Sequence, residues 1–226
     1  MQPNVPSTIQ LPPDPEDQSY NYQSGRRPDL KEPKFGKVRE HLSTVMILIA
    51  APLLAVLITA FIFRTYQVDG PSMESTLQDN DRLIINKIPK TISRITNNDY
   101  IPNRYDIIVF THTGQFNGSS QSTEKQLIKR VIGLPGDRVV VKDGIVKVYN
   151  GENPDGFLVD KFGPEAAVID STIGDVDETV KDGEIFVMGD NRGNSLDSRN
   201  LGSVRSEDVI GVLTFRIYPF DKWGTF

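Results

Sequence analysis

The sequence predicts a mainly β fold, in which a coiled, barrel-like antiparallel β domain follows one N-terminal transmembrane helix. An uncharged apolar run of twenty residues at 44–63 predicts the helix. Between 67 and 226, short runs rich in Val, Ile and Phe alternate with turn-forming residues, and this pattern predicts strands. We therefore expect a tail over 1–43, a membrane span over 44–63 and a β domain over 64–226.

The tail contains seven of the fifteen prolines, many polar residues and almost no aliphatic clusters. Such a segment buries too little apolar surface to offset the conformational entropy that folding removes. We predict that residues 1–43 are disordered.

The apolar run reads TVMILIAAPLLAVLITAFIF. About twenty apolar residues is the length that a helix needs to cross a hydrocarbon core of ~30 Å. Pro52 is compatible with a spanning helix, because neighbouring groups can satisfy the carbonyl that it frees. A cleaved signal peptide is disfavoured, since the run starts late and ends in bulky residues without a small-x-small site. A soluble core helix is disfavoured, since no polar face is present.

The charges that flank the run predict its orientation. After it, Arg64 is followed by no further cation until Arg82. Six cations precede it within a short distance: Arg26, Arg27, Lys31, Lys34, Lys37 and Arg39. The positive-inside rule then places the N-terminus in the cytoplasm. We expect a single-pass protein of the plasma membrane, in contact with the lipid bilayer, with residues 64–226 outside the cytoplasm.

Within the β domain, the predicted strands include Asp106–Phe110, Arg138–Val141, Ile145–Tyr149 and Glu184–Met188. Asp143-Gly144 separates two of these runs, and this dipeptide is a strong signal for a two-residue hairpin. Two polar stretches, roughly 91–104 and 113–124, are predicted to be loops. We expect no long amphipathic helix in this domain.

Charge and composition exclude several classes of function. After Arg64 the chain holds 18 Lys and Arg against 24 Asp and Glu, and so acidic a domain is a poor nucleic-acid binder. Cysteine is absent, which excludes a thiol nucleophile, disulfides and thiolate-ligated zinc. The two histidines are His41 and His112. We therefore expect no metal, no cofactor and no nucleic-acid partner, and the sequence indicates no oligomeric state.

Three polar segments of the β domain are candidates for chemistry: Gly70–Leu77, Lys129–Asp137 and Gly189–Arg199. In the second, strand alternation puts Leu127 and Val131 on the face of Lys129, where burial would lower the lysine pKa. Alternation alone does not decide between Lys129 and Arg130, because Arg130 also has apolar neighbours. Chemistry favours Lys129 as a base, since arginine is never deprotonated in a protein.

These segments, in this order behind one span, resemble the conserved boxes of type I signal peptidases, the Ser-Lys family of serine proteases. Ser72-Met73 with Thr76-Leu77 is similar to the nucleophile box, and Tyr105–Phe110 is similar to a strand box. The segments beginning at Lys129 and at Gly189 are similar to the lysine box and the last box. The resemblance covers roughly 44–221, and four ordered matches are far more specific than one.

The resemblance implies a function and a role for each matched residue. Ser72 would be the nucleophile and Lys129 the base, with the Ser72 backbone N–H in the oxyanion hole. Ser195 would hydrogen-bond the lysine amine, while Asp197 and Arg199 would support that loop. The protein would be a membrane-bound endopeptidase that removes signal peptides from exported precursor proteins, cutting after small-x-small residues.

Some positions depart from the family pattern. Ser75 stands where the family usually has proline, Tyr105 where it often has glycine, and Gly193 where an acidic residue is common. Gly70 occupies the place where some members have a serine that contributes to the oxyanion hole, so one donor is missing or replaced. The departures leave the nucleophile and the base in place.

Other hypotheses fit fewer of these observations. A Ser-His-Asp hydrolase would need a histidine beside Ser72, but His41 lies before the span, His112 starts a predicted loop, and no Gly-x-Ser-x-Gly elbow is present. A non-enzymatic anchored β domain does not account for the ordered boxes, and a self-cleaving Ser-Lys repressor would need a DNA-binding N-terminus. On the Ser-Lys reading, we expect Arg130→Lys to retain most of the activity.

Overall fold

The computed structural model describes residues 35–115, 122–159 and 172–226. Contacts divide the chain into two compact units, Met1–Leu48 and Ile49–Phe226. The predicted disorder of the tail falls largely on residues 1–34, which lie outside the described residues. The boundaries predicted for the tail, the span and the domain remain predictions.

One long apolar helix, α1, covers Phe35–Phe61 and contains Pro52. It begins before the apolar run predicted from Thr44, because the polar residues that precede the run continue the same helix. The segment His41–Phe61 is long and apolar enough to cross a membrane. Its apolar side chains are exposed throughout, with Leu48 69% and Val56 62% exposed. A helix with an apolar surface on every side matches a lipid environment better than water.

The rest of the described chain is mainly β structure, with two short α-helices and two 3₁₀ helices. The α-helices are α2 (Ile88–Thr96) and α3 (Ser198–Leu201), and the 3₁₀ helices are Ser206–Asp208 and Phe220–Lys222. The strands are β1 (Phe63–Gln67), β2 (Arg82–Asn86), β3 (Ile107–Gln115), β4 (Ser122–Gly133), β5 (Arg138–Lys142), β6 (Ile145–Tyr149), β7 (Phe157–Leu158), β8 (Val176–Thr179), β9 (Glu184–Met188), β10 (Val204–Arg205), β11 (Val209–Tyr218) and β12 (Gly224–Thr225).

The strands form two antiparallel sheets. The larger sheet has the order β1-β2-β11-β3-β4-β9-β10, with β12 paired to β11. The smaller sheet has the order β7-β6-β5-β8. This arrangement confirms the prediction of a mainly β, antiparallel fold with one N-terminal apolar helix.

The predicted strands and hairpin agree with the structure. β3, β5, β6 and β9 correspond to the four predicted runs, with β3 beginning at Ile107 instead of Asp106, and Asp143 and Gly144 connect β5 to β6. Both turn residues have positive φ, +51° for Asp143 and +77° for Gly144. Positive φ at both central residues is the type I′ geometry that matches the twist of a hairpin.

The two polar stretches predicted to be loops are only partly so, and the loop prediction is wrong for three pieces. Residues 91–96 belong to helix α2, while 113–115 and 122–124 belong to strands β3 and β4. Residues 116–121, the middle of the second stretch, lie outside the described residues. These strand ends pair with each other alone, from Thr113↔Glu124 to Gln115↔Ser122, beyond the rest of the sheet. A two-stranded ribbon in solvent has no buried face, so its sequence lacks the apolar alternation that signals a strand.

The core lies on both faces of the larger sheet, and β3 shows why. Ile107 and Val109 pack in a cluster with Met73, Leu77 and neighbours. The alternate residues of β3 pack in a second cluster, with partners from β4, β9 and β11: Ile108 and Phe110. A strand buried on both faces is a continuous apolar run, as the sequence has here. The segment that carries Ser72 packs on the first of these faces.

Close approach of two strands predicts a strict requirement for glycine at position 211. A Cβ added at Gly211 would overlap the Asn86 carbonyl oxygen and lie 2.9 Å from Ile85 Cγ2. We expect Gly211→Ala to lower the free energy of unfolding by about 1–3 kcal/mol, the usual cost of overpacking. Chemical denaturation of the two proteins would measure it.

Gly151 is the matched control, because a Cβ there would meet nothing within 4 Å. Gly151→Ala should leave stability unchanged. Equal stability of the Gly211→Ala variant and the parent protein would contradict the packing described for β2 and β11.

Candidate active site

Ser72 lies in a tight turn between β1 and β2. The Glu74 N–H donates to the Pro71 carbonyl (3.0 Å), and the Leu77 N–H donates to the Met73 carbonyl (2.8 Å). Met73 and Leu77 are completely buried in the core beside β3. Because the residue after Ser72 is fixed in the core, the half-buried Ser72 side chain is held in one position.

Two residues of this turn have left-handed backbone. Gly70 has φ +91° and Ser75 has φ +86°. The Gly70 N–H donates to Asp79 Oδ1 (2.9 Å), so it is already engaged. Proline has φ fixed near about −65° and could not occupy position 75 in this conformation. The serine at this position is therefore consistent with the local backbone of this chain.

Lys129 is buried in β4 and reaches the nucleophile candidate. Its side chain is 3% exposed, and its Nζ lies 2.7 Å from Ser72 Oγ. A second hydrogen bond runs from Nζ to the Ile128 carbonyl (2.7 Å). The structure thus resolves the ambiguity of the alternation pattern, because Lys129, and not Arg130, contacts Ser72.

Burial changes the acidity of this lysine. Loss of hydration disfavours the ammonium form and lowers the pKa of Lys129 from 10.5 to about 8. The carboxylates of Asp197 and Asp190 act in the opposite direction and raise it. Desolvation exceeds these two attractions, so the neutral amine is accessible near neutral pH.

Arg130 has a different set of partners. Its Nε and Nη2 donate to the two carboxylate oxygens of Asp190 at 2.8 and 2.7 Å. Its Nη1 donates to the Tyr105 carbonyl (3.0 Å), and its Nη2 also reaches Thr76 Oγ1 (3.3 Å). The fork of donors therefore connects three segments of the domain. A lysine could not make this pattern, so these contacts argue against the expectation that Arg130→Lys retains most of the activity.

Asp197 and Arg199 form a buried ion pair, with their side chains 0% and 5% exposed. Arg199 Nε and Nη2 each lie 2.8 Å from a carboxylate oxygen of Asp197. The Gly189 N–H also donates to Asp197 Oδ2 (2.9 Å). Burial alone would raise the pKa of Asp197, but these donors outweigh it and lower the pKa. Asp197 therefore stays ionised and caps helix α3 through the Arg199 N–H.

Ser195 is placed beside Ser72 by the close approach of Gly189. A Cβ at Gly189 would overlap both Ser195 Oγ and the Ser72 carbonyl oxygen. Ser195 Oγ is buried and makes no hydrogen bond of good geometry to any described residue, although it lies near enough to Asp197 to help lower the pKa of that carboxyl. The predicted hydrogen bond from Ser195 to Lys129 is thus not formed in this structure, and the role of Ser195 remains a prediction.

Asn191 was not singled out by the sequence. Its backbone N–H donates to the Ser72 carbonyl (3.1 Å). Its Nδ2 donates to the Pro71 carbonyl and to Glu74 Oε2, both at 3.1 Å. Asn191 therefore connects the loop after β9 to the Ser72 turn. Only its place in a dense polar segment could have indicated it, because the contact joins residues far apart in sequence.

His112 lies away from the pair. In the β3–β4 ladder Ile108 is opposite Lys129 and His112 is opposite Lys125. Four residues along a strand correspond to about 13 Å, too far for His112 to contact the amine of Lys129 or the hydroxyl beside it. Within residues 35–115, 122–159 and 172–226, no group of three His, Cys, Asp or Glu could hold a metal ion.

Comparison with known proteins identifies relatives of this chain. The family described as "Signal peptidase, peptidase S26" matches residues 40–218. Signal peptidase I of Bacillus licheniformis is 34% identical over 180 residues, which cover 79% of this chain and 89% of the relative. Signal peptidase I T of Bacillus subtilis is 35% identical over 189 residues, covering 82% and 90%. A solved signal peptidase I from Enterococcus faecalis V583 is 28% identical, covers 50% of this chain and 97% of its own, and has a TM-score of 0.36.

The partners of Arg130 predict the effect of a conservative substitution. Arg130→Lys keeps the charge but loses the two-point contact with Asp190 and the bond to Tyr105. We expect it to lower the free energy of unfolding by about 1–3 kcal/mol, since buried acceptors lose their donors. Thermal unfolding and a cleavage assay on the same preparation would measure the loss of stability and a matching loss of activity.

Arg205→Lys is the matched control, because the Arg205 side chain is 62% exposed while it pairs with Asp208. This variant should resemble the parent protein in both assays. Full stability and activity of Arg130→Lys would show that the three contacts contribute nothing.

Proposed function

The chain belongs to the signal peptidase family, peptidase S26, and is thus a serine endopeptidase that removes signal peptides; we propose that it does so with Ser72 as nucleophile and Lys129 as general base. The observation that carries this proposal is the 2.7 Å separation of Lys129 Nζ and Ser72 Oγ, with the lysine 3% exposed. A lowered lysine pKa is what a general base near neutral pH needs.

The first step is acylation. Neutral Lys129 accepts the proton of the Ser72 hydroxyl, and Ser72 Oγ attacks the scissile carbonyl carbon. The Ile128 carbonyl accepts one N–H of the amine, which leaves the nitrogen lone pair free to point at Ser72. The protonated Lys129 then donates this proton to the leaving amine, and the peptide bond breaks.

The negative charge that develops on the carbonyl oxygen needs donors. The Ser72 N–H donates no hydrogen bond to any described residue, which supports its use in the oxyanion hole. Such a donor contributes ~3 kcal/mol in acyl-transfer enzymes. Gly70 offers no hydroxyl and its N–H is bound to Asp79, so the second donor is not Gly70.

Deacylation reverses the roles. Lys129, neutral again, takes a proton from a water molecule, and the hydroxide attacks the carbonyl carbon of the acyl-enzyme ester. The protonated Lys129 returns this proton to Ser72 Oγ as the ester bond breaks, which restores the serine hydroxyl and the neutral amine. In this scheme Ser195 orients the amine through a hydrogen bond that forms during the reaction, and Asp197 and Arg199 position the Ser195 loop. The buried hydroxyl of Ser195, which lies near Asp197 without a well-formed hydrogen bond, supports this role.

The substrates are proposed to be precursor proteins with small residues at the first and third positions before the cut. The membrane arrangement is a single span over 44–63, a cytoplasmic tail over 1–43 and an extracytoplasmic catalytic domain over 64–226 at the plasma membrane. The exposed apolar surface of α1 and the cations before it support this arrangement. The enzyme would then meet its precursors where they leave the bilayer.

Removing the nucleophile tests the assignment of Ser72. Ser72→Ala should leave the domain folded, because the deleted hydroxyl is not part of the core, and it should abolish cleavage of an Ala-x-Ala precursor. Cleavage is measured by sequencing the new N-terminus, with host peptidase absent. The exposed Ser122 provides the control, and Ser122→Ala should cleave normally. Processing by the Ser72→Ala variant would refute the assignment.

The lowered pKa of Lys129 predicts a pH profile. Only the neutral amine can accept the proton, so kcat/KM should rise about tenfold per pH unit below the pKa and level off above about pH 8. Lys129→Arg should be inactive, because guanidinium does not deprotonate.

His112→Ala is the control for this profile and should leave it unchanged. An active Lys129→Arg variant, or a profile that His112→Ala shifts, would contradict the Ser-Lys mechanism. A plateau reached only above pH 10 would contradict the burial of Lys129.

A further inference from the structure

Helix α2 (Ile88–Thr96) has the reverse of the polarity expected for a surface helix. The side that packs on the domain holds a buried lysine, Lys90, which is 7% exposed. The opposite side presents three isoleucines: Ile88, Ile92 and Ile95 are 37%, 53% and 78% exposed. On an ordinary surface helix the apolar stripe faces the core and the charged residues face water.

The three isoleucines form one continuous stripe, which we call the isoleucine face. Spacings of four and three residues place them on one side of a helix. The orientation of α2 is fixed from its polar side. Lys90 Nζ donates to the Ser206 carbonyl (2.9 Å), and Thr91 Oγ1 donates to the Phe61 carbonyl (2.8 Å). The helix is thus held by hydrogen bonds with its apolar stripe outward.

The same contacts place α2 beside the end of the apolar helix α1. Lys87, just before α2, donates to the Ala60 carbonyl, and Thr91 donates to that of Phe61. Ala60 and Phe61 are the last residues of α1 and of its membrane-crossing segment. Where that segment leaves the hydrocarbon core, α2 must therefore lie at the level of the lipid headgroups.

The charges of α2 suit this position. Ile88–Thr96 contains no acidic residue. Its exposed cation is Arg94, in the last turn, and Lys87 lies at its N-terminal end. Isoleucines on one face and cations elsewhere are the composition of helices that lie in the interface of a bilayer with anionic lipids.

We propose that α2 is an interfacial helix, whose isoleucine face inserts into the boundary between headgroups and acyl chains of an anionic lipid bilayer. It would be a second attachment to the membrane beside α1, and it would restrict the rotation of the domain about the end of α1. This inference rests on the proposed membrane span, and the experiment separates the two.

The absence of cysteine makes site-specific labelling straightforward. Single-cysteine variants Ile92→Cys and Ile95→Cys of the full chain are labelled with the environment-sensitive dye NBD. The proteins are reconstituted in vesicles of phosphatidylcholine and phosphatidylglycerol that carry a doxyl quencher near the headgroup end of the acyl chain. Both labels should show blue-shifted emission and quenching several-fold stronger than a label on an exposed isoleucine elsewhere in the domain.

Two further sites make the outcome decisive. Ile145→Cys is the matched control, because Ile145 is 51% exposed on β6 of the smaller sheet, and its label should stay unquenched. Leu53 lies within α1. In vesicles that carry the doxyl group deep in the acyl chain instead, the label of the Leu53→Cys variant should be quenched. If the Leu53 label is quenched while those at 92 and 95 behave like that at 145, α1 is anchored and the interfacial helix is wrong. If the Leu53 label is also unquenched, the membrane span itself is wrong, and the inference falls with it.

Discussion

The contact between Lys129 Nζ and Ser72 Oγ, made where water is excluded from the lysine, is the constraint on which the rest of the site depends. An ordinary lysine is almost fully protonated at neutral pH and cannot accept a proton. The fall in the pKa of Lys129 from 10.5 to about 8 corresponds to about 3 kcal/mol against the ammonium form, at 1.36 kcal/mol per pH unit. For the proposed role of Lys129 as the general base, the domain must keep Lys129 buried and still place it against Ser72. The turn at Ser72 and strand β4 do this together, since Met73 is fixed in the core and Lys129 lies in a central strand.

Two carboxylates near Lys129 would raise its pKa further if they had no positively charged partner. Asp190 and Asp197 both raise the pKa of Lys129. Each is bound by two donors of one arginine, Asp190 by Arg130 and Asp197 by Arg199. The guanidinium groups neutralise these carboxylates, so that desolvation of the lysine remains the larger effect. In this account each ion pair places a positive charge beside a carboxylate that would otherwise raise the pKa of the proposed base further.

Most of the fold could be predicted from the sequence, because the signals for it are local. The apolar run of α1, the β-branched runs and Asp143-Gly144 each define an element within a few residues. The α2 helix was missed because its polarity is reversed, so that Ile92 and Ile95 appear as isolated apolar residues in a polar stretch. The ends of β3 and β4 were missed because a ribbon in solvent has no alternation. Neither element buries an apolar face in the core, so the usual sequence signal is missing from both.

The candidate site was predicted unevenly for the same reason. Ser72 and Lys129 could be identified as candidates because each lies in one of an ordered set of motifs, and the structure brings the two side chains together. The contacts of Asn191 with the Ser72 turn join positions more than a hundred residues apart in sequence, and no local pattern contains them. Strand alternation could not decide which of Lys129 and Arg130 faces Ser72, since both have apolar neighbours on the strand.

Direct titration of the Lys129 amine tests the central claim most sharply. The full chain, with its lysines labelled with ¹³C, would be titrated by NMR through the ¹³Cε resonances, and the Lys129 signal assigned by its loss in Lys129→Arg. We predict that the Lys129 resonance titrates with a pKa of about 8, well below the ordinary lysine value. Titration of Lys129 together with the exposed lysines would contradict the account, because the amine would then be protonated at the pH at which it must act as the base.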